Sequence, residues 1–217
     1  MLFRSAYWRE HVADVERPHA RIRSFASHDS HGSFWQLRGC AGAALSTYVA
    51  RCSVMPEEVA AQLDDSLRRT YEACGGPMSD EQWLRATLPI RLSGLGLRPM
   101  TRLAPLAAFC GLGAAQSSLQ SLFDAECQPG TEPALTQLSS SIFSSFSGVV
   151  AVSATDLQSV AGKGAQKRLT ALVEDSVHAT LLERADVKEK IRMLSCGRSE
   201  EHTSELQSRQ YLVCRLL

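Results

Sequence analysis

Asp64 and Asp65 are the most conspicuous chemical candidates in this 217-residue chain. Adjacent carboxylates at a turn between strands can hold two metal ions for phosphoryl transfer. Here the pair follows Gln62-Leu63 inside a segment of strong helical periodicity. Neighbouring helical residues point about 100° apart, so the two carboxylates do not converge on one metal pair. The expectation is a solvated helix face. His11, His19, His28 and His31 cluster in Ala6–Gly32. His28 and His31 are close enough in sequence to share a metal, but no thiol or carboxylate completes a recognisable ligand pattern. These histidines are expected in a solvated stretch.

The cysteines Cys40, Cys52, Cys74, Cys110, Cys127 and Cys196 are spread singly, without CxxC and without zinc-ligand spacing to histidine. With no signal peptide, the expectation is reduced, mostly buried thiols in an intracellular protein. No serine sits in a nucleophile elbow. Gly94-x-Gly96 and Gly111-x-Gly113 are too sparse for a phosphate loop and lie outside any βαβ context. Gly111 and Gly113 are expected to permit close helix contact. No residue is expected to be catalytic or to bind a metal, and no motif calls for a cofactor, a small-molecule ligand or a membrane.

One charge feature is informative. From Gln82 to Phe123 there is no acid, while Arg85, Arg91, Arg98 and Arg102 occur. Guanidinium groups suit phosphate geometrically, so these four are the candidate nucleic-acid contacts.

The elements that must carry these residues are read from apolar spacing. Ala6–Gly32 is polar, contains Pro18 and is expected to be irregular. Phe34–Val54 has Leu37, Ala41, Ala44, Leu45, Tyr48, Val49 and Cys52 at helical spacing. Pro56-Glu57-Glu58 opens a helix with Val59, Leu63, Leu67, Tyr71 and Cys74 on one face, stopped by Gly75-Gly76-Pro77. Ser79-Asp80-Glu81-Gln82 is a capping box for the next helix. Leu88, Ile90 and Leu92 then alternate with Pro89 and Arg91, which predicts a short β-hairpin or extended loop near 88–98. Further helices are predicted over Leu103–Phe123, around Leu135–Val149, around Leu169–Leu181, and as a short piece at Val187–Leu194. Leu103–Ala115, the longest strongly apolar run, is too short to span a bilayer. The fold class is mainly α, an irregular helical bundle with that one hairpin.

The ends read differently. Arg198–Ser208 translates one frame of a widely used sequencing-library adapter, and after a barcode-length gap Leu212–Leu217 resumes its constant part. Leu2–Ser5 translates CTC TTC CGA TCT, the end of the partner adapter. Residues 1–5 and 198–217 are therefore expected to be adapter-derived and are set aside for fold reasoning. The expected organisation is an irregular segment at 6–32, a thumb-like helical module at 33–127 and a second helical segment at 128–197. The whole chain carries 23 basic and 23 acidic residues. Setting aside Arg4, Arg198, Arg209 and Arg215 with Glu200, Glu201 and Glu205 leaves 19 basic and 20 acidic, so no global basic character draws the chain to nucleic acid.

The stretch LDDSLRRTYEACGGPMSDEQWLRATLPIRLSGLGLRPMTRLAPLAAFCG, residues 63–111, resembles the region after the polymerase core in non-LTR retrotransposon-like reverse transcriptases. Trp83, Leu84, Ala86, Leu88 and Pro89 match its Trp-Leu-x-Ala-x-Leu-Pro segment. Gly94–Arg98 match its glycine-rich turn, and Ala104, Pro105, Ala107, Ala108 and Phe109 match the helix that follows. Trp83, Pro89, Gly94, Gly96 and Pro105 are its structural positions. Ser93 stands where the first glycine of the turn is usual, and would be strained if that position needs positive φ. Residues 164–195 are similar to the downstream helices more loosely. The resemblance implies a thumb or post-thumb module that helps hold primer and template in the intact parent, an RNA-directed DNA polymerase. The palm motif is not matched, so it implies no catalysis here. A self-contained helical interaction module is the alternative, and it predicts a cooperative thermal transition for the isolated chain.

Overall fold

A computed structural model describes residues 2–111 and 164–195, with side chains from residue 6 onward. The described residues are mainly α and contain no strand. They divide into two compact units. The first is Met1–Met78 with Arg98–Val173, and the second is Ser79–Leu97 with Glu174–Leu217. The boundary expected at residue 128 lies outside the described residues. No helix among them is long and apolar enough to cross a membrane.

The first unit opens with α1, Leu2–Phe25, a continuous helix through most of the segment expected to be irregular. Its inward positions are Trp8, Val12, Val15, His19 and Ile22, and Ala26 continues the stripe just past its end. Their spacing alternates between four and three, which keeps one narrow stripe on a single face. The stripe is hard to see in the sequence because one member is histidine and few apolar residues surround it. Pro18 lies inside α1 and removes one helical hydrogen bond without ending the helix. Against α1 lies α4, Glu57–Gly75. Pro56 precedes its first turn, Glu57 and Glu58 sit at the positive end of its dipole, and Gly76 at φ 87° closes it.

Residues 30–52 form two helices, α2 at Ser30–Gln36 and α3 at Ala44–Cys52, separated by a π-helical turn at Leu37–Ala41. The wider π turn and the break at Gly42 reset the helical phase. Ser46 and Ala50 therefore face in from α3, while Leu45 and Tyr48, expected inside, are exposed, Tyr48 at 74 %. Helix α6, residues 100–111, and the helical residues 165–173 also belong to this unit. Trp8, Val15, Ala50, Met55, Ala60, Leu63, Met100, Leu103, Ala104 and Ala107 make one apolar core. Burying each large member is worth about 1.5–3 kcal/mol. Gly111 lets α6 approach the end of α3: a Cβ there would lie 2.1 Å from the Arg51 carbonyl oxygen. The close contact expected of Gly111 is present; Gly113 lies outside the described residues.

The second unit contains α5, Asp80–Ala86, the loop to Leu97, the C-terminal part of α7 (Ala165–Arg184), and α8, residues 187–195. The capping box is complete, with Gln82 N donating to Ser79 Oγ at 3.2 Å and Ser79 N to Gln82 Oε1 at 2.8 Å. Leu88, Val177, Leu181 and Met193 form its core, with Leu84, Leu92, Leu182 and Ala185 around them.

The β-hairpin expected near 88–98 is not formed. Ile90–Leu92 is a turn of 3-10 helix, and the chain then folds back onto the end of α5. The N–H groups of Leu95 and Leu97 reach the Ala86 carbonyl at 3.1 and 3.3 Å, and Gly96 N donates to Leu88 O at 2.7 Å. The return was legible, but the hydrogen bonds go to carbonyls that a helix end leaves open rather than to a partner strand. Pro89 has no N–H for a ladder.

Candidate functional site

The four candidate arginines fall in different units. Arg85 lies in the last turn of α5, ion-paired with Glu189 of α8, and its Nε donates to the Ser93 carbonyl at 3.4 Å. Arg91 lies in the 3-10 turn and meets two acids of α7, Asp175 at 2.8 Å and Glu174 at 3.5 Å. Glu174 is only 6 % exposed, so Arg91 supplies compensation that a buried carboxylate needs. The acid-free stretch seen in sequence is thus met by three acids brought in from 83–104 residues downstream. Nearby His178 is lowered by burial and by Arg91, against the opposing charge of Asp175.

Arg98 and Arg102 belong to the first unit and stand beside Asp64. Arg98 is exposed and lines a cleft with His19, Ser46, Asp64 and Met100. The cleft is small, with about 10 Å³, room for a single water. Arg102 sits in the first turn of α6, where its charge favours the Asp64 carboxylate.

Asp64 is not a solvated-face residue. It accepts the backbone N–H of Met100, and from Thr101 both the N–H at 3.0 Å and the hydroxyl at 2.5 Å. The α6 segment begins directly after Pro99, which offers no side-chain cap, so the carboxylate of α4 satisfies its open N–H groups across tertiary structure. Burial pushes the Asp64 carboxyl up, opposed by these hydrogen bonds and by Arg102. Asp65 remains exposed, as expected.

His19 is likewise not solvated: it is 1 % exposed in the seam between α1 and α4. Its Nδ1 meets Ser66 Oγ and its Nε2 meets the Ala41 carbonyl, both at 2.7 Å. Ser66 Oγ also donates to Glu16, which pairs with Arg23 and lies 3.7 Å from Arg69. Arg23 reaches Thr70 Oγ1 at 2.9 Å. The sequence carried a signal for this seam: Ser66 and Thr70 interrupt the apolar face of Leu63 and Leu67 at helical spacing. Burial raises the Glu16 carboxyl, but the Ser66 and Arg23 hydrogen bonds and the Arg23 and Arg69 charges outweigh it and hold it below the usual range. Serine, not histidine, occupies the middle of this set, so it lacks the order of a nucleophilic triad.

The structural positions of the sequence pattern have definite tasks. Trp83 is half-buried in α5, and its carbonyl accepts Thr87 N at 3.0 Å. Pro89 starts the 3-10 turn at ψ 160°. Ser93 adopts φ 60°, the only non-glycine with positive φ among the described residues, and Gly96 has φ 76°. A Cβ on Gly94 would lie 2.0 Å from the Leu88 carbonyl oxygen. Pro105 is half-buried within α6.

His28 and His31 take separate partners. His28 packs edge-on against Phe25, and His31 Nε2 accepts Trp35 Nε1 at 2.8 Å. Among the described residues no three His, Cys, Asp or Glu side chains are placed to hold a metal. The described cysteines are free, but less buried than expected: Cys40 and Cys52 are exposed, Cys74 and Cys110 half-buried. Cys40 and Cys52 lie where the π turn reset the phase. The chain matches no protein-family model, no curated protein and no solved structure.

Proposed function

We propose that this chain is a non-catalytic piece of a retroelement reverse transcriptase, from the thumb or post-thumb region that supports primer–template binding in the intact, intracellular parent. The observation that carries the reading is the Trp83–Phe109 pattern. It is supported by the backbone demands met within that pattern: left-handed conformations at Ser93 and Gly96, and no room for a side chain at Gly94. In this reading Arg85, Arg91, Arg98 and Arg102 contact phosphate in the parent. Glu174, Asp175 and Glu189 compete with phosphate for the first two.

Filter binding of the full chain to a primer–template duplex tests this. Affinity is expected to fall with salt, and to fall further, with a shallower salt slope, when all four arginines become Gln. Binding unchanged by the fourfold replacement counts against the arginine role. Multiple-turnover polymerisation would overturn the non-catalytic reading. The same proposal takes residues 1–5 and 198–217 as translated adapter, and source reads that cross Gly197–Arg198 into other sequence would refute it.

Val187, Ile191 and Leu194 on α8 are exposed at helical spacing, which favours a second reading, a helical interaction module. A cooperative thermal transition without aggregation supports that alternative over a piece cut from a larger core.

A further inference from the structure

We propose that His19, Ser66 and Glu16 form a proton-sharing chain that takes up one proton on His19 and swings the Ser66 hydroxyl wholly toward Glu16, making the seam between α1 and α4 an acid-responsive contact. This goes beyond the retroelement reading and does not depend on it.

The inference follows from counting protons. The Ala41 carbonyl can only accept, so His19 Nε2 carries a hydrogen and donates to it. Two contacts remain, His19 Nδ1 to Ser66 Oγ and Ser66 Oγ to Glu16 Oε2. Each needs a hydrogen, and Ser66 has one. Glu16 faces Arg23 and Arg69 and is therefore held as a carboxylate, which only accepts. With His19 neutral, Nδ1 and Oε2 compete for the single Ser66 hydrogen, and one contact goes unmade. When His19 gains a proton at Nδ1, Nδ1–H donates to Ser66 Oγ and Ser66 O–H donates to Glu16. Both contacts are then satisfied, no other atom changes its proton, and the new positive charge is one hydroxyl away from a carboxylate.

The surroundings set where this happens. From α1, Glu16 and Arg23 face the imidazole. From α4 come Arg69 and, across the small cleft, Asp64. Arg98 lines the same cleft. From the π turn the imidazole meets the Ala41 carbonyl, while Arg38 is placed over the Trp35 ring. Burial and the two α1 and α4 arginines lower the His19 value, while Ala41 and Glu16 oppose them. The switch therefore acts on the acid side of an ordinary histidine. An isolated buried imidazolium would lose its proton rather than stay charged. This one has a compensating route built in.

Imidazole nitrogen NMR of the full chain across a pH titration tests the proposal. At neutral pH, His19 is expected as the Nε2–H tautomer. On acidification Nδ1 should gain its proton while the folded spectrum persists. Glu16→Gln is expected to weaken proton binding at His19 about tenfold, a midpoint lower by about one unit. Ser66→Ala should shift it in the same direction, and Ser66→Thr should restore it. His11, bonded to Ser46 at 2.9 Å, is the internal control and should hold its midpoint. An Nδ1–H tautomer at neutral pH in the unmodified chain, or a His19 midpoint unmoved by Glu16→Gln, would overturn the proposal. The tautomer measurement stands even if a variant fails to fold.

Discussion

Asp64 and Thr101 are joined twice, the carboxylate of α4 accepting both the backbone N–H and the hydroxyl of Thr101 in the first turn of α6, 37 residues later. A sequence that looks like a metal-binding acid pair is thereby divided. One carboxylate starts a distant helix, and the other faces solvent.

Asp64→Ala is expected to destabilise the chain by about 1–2 kcal/mol, the cost of losing a helix cap. Asp65→Ala should lie within about 0.5 kcal/mol of the parent, as surface substitutions do. Urea denaturation of the two variants checks the asymmetry. Equal losses would mean that the cap is not what Asp64 supplies.

Gly111→Ala should cost about 1–3 kcal/mol, because the added methyl meets the Arg51 carbonyl and one of two packed backbones must move. Gly39→Ala is the matched control, since nothing lies within 4 Å of the place its methyl would take, and it should be neutral or slightly stabilising. Thermal midpoints of the pair distinguish close helix contact from a general intolerance of alanine.

The 93–96 turn makes opposite predictions at adjacent positions. Ser93→Gly should stabilise by about 1 kcal/mol, because glycine adopts the left-handed conformation without the steric cost that serine bears. Gly94→Ala should destabilise strongly, since its methyl would collide with the Leu88 carbonyl. Guanidinium titrations read both. Stabilisation by Gly94→Ala would mean that the loop does not fold back on α5 in this way.

Stability should decline on acidification in a sense fixed by the seam. His19 and Glu16 both bind protons less readily in the folded chain than their ordinary values of 6.5 and 4.5 would give. Each contributes stability that is present above its unfolded value and is lost as pH falls through its folded one. The loss should therefore begin below about pH 6.5 and deepen below about pH 4.5. In Glu16→Gln the lower limb should flatten. A chain equally stable at pH 7 and pH 4 would contradict the buried seam.

Much of the helical framework was legible locally. The Ser79–Gln82 capping box, the acids opening α4 and the glycines closing it act within one turn of chain, so nearest-neighbour chemistry specifies them. Helix α1 was not legible, because its stripe is sparse and contains a histidine whose burial depends on Ser66 and Ala41. The phase of α3 was lost for a similar reason: a π turn of five residues moved Tyr48 outward and Ser46 inward.

What the sequence alone determined was therefore the α class, the ends of α4, the start of α5 and the need for special backbone at 93–96. The tertiary structure decided which partner each polar side chain meets. Arg85 and Arg91 met acids from α7 and α8, Asp64 met the open N–H groups of α6, and His19 met Ser66. Those outcomes depend on segments many residues apart arriving at one place; the spacing of Ser66 and Thr70 marks a polar seam on α4, but nothing periodic along the chain names the partner that each side chain meets.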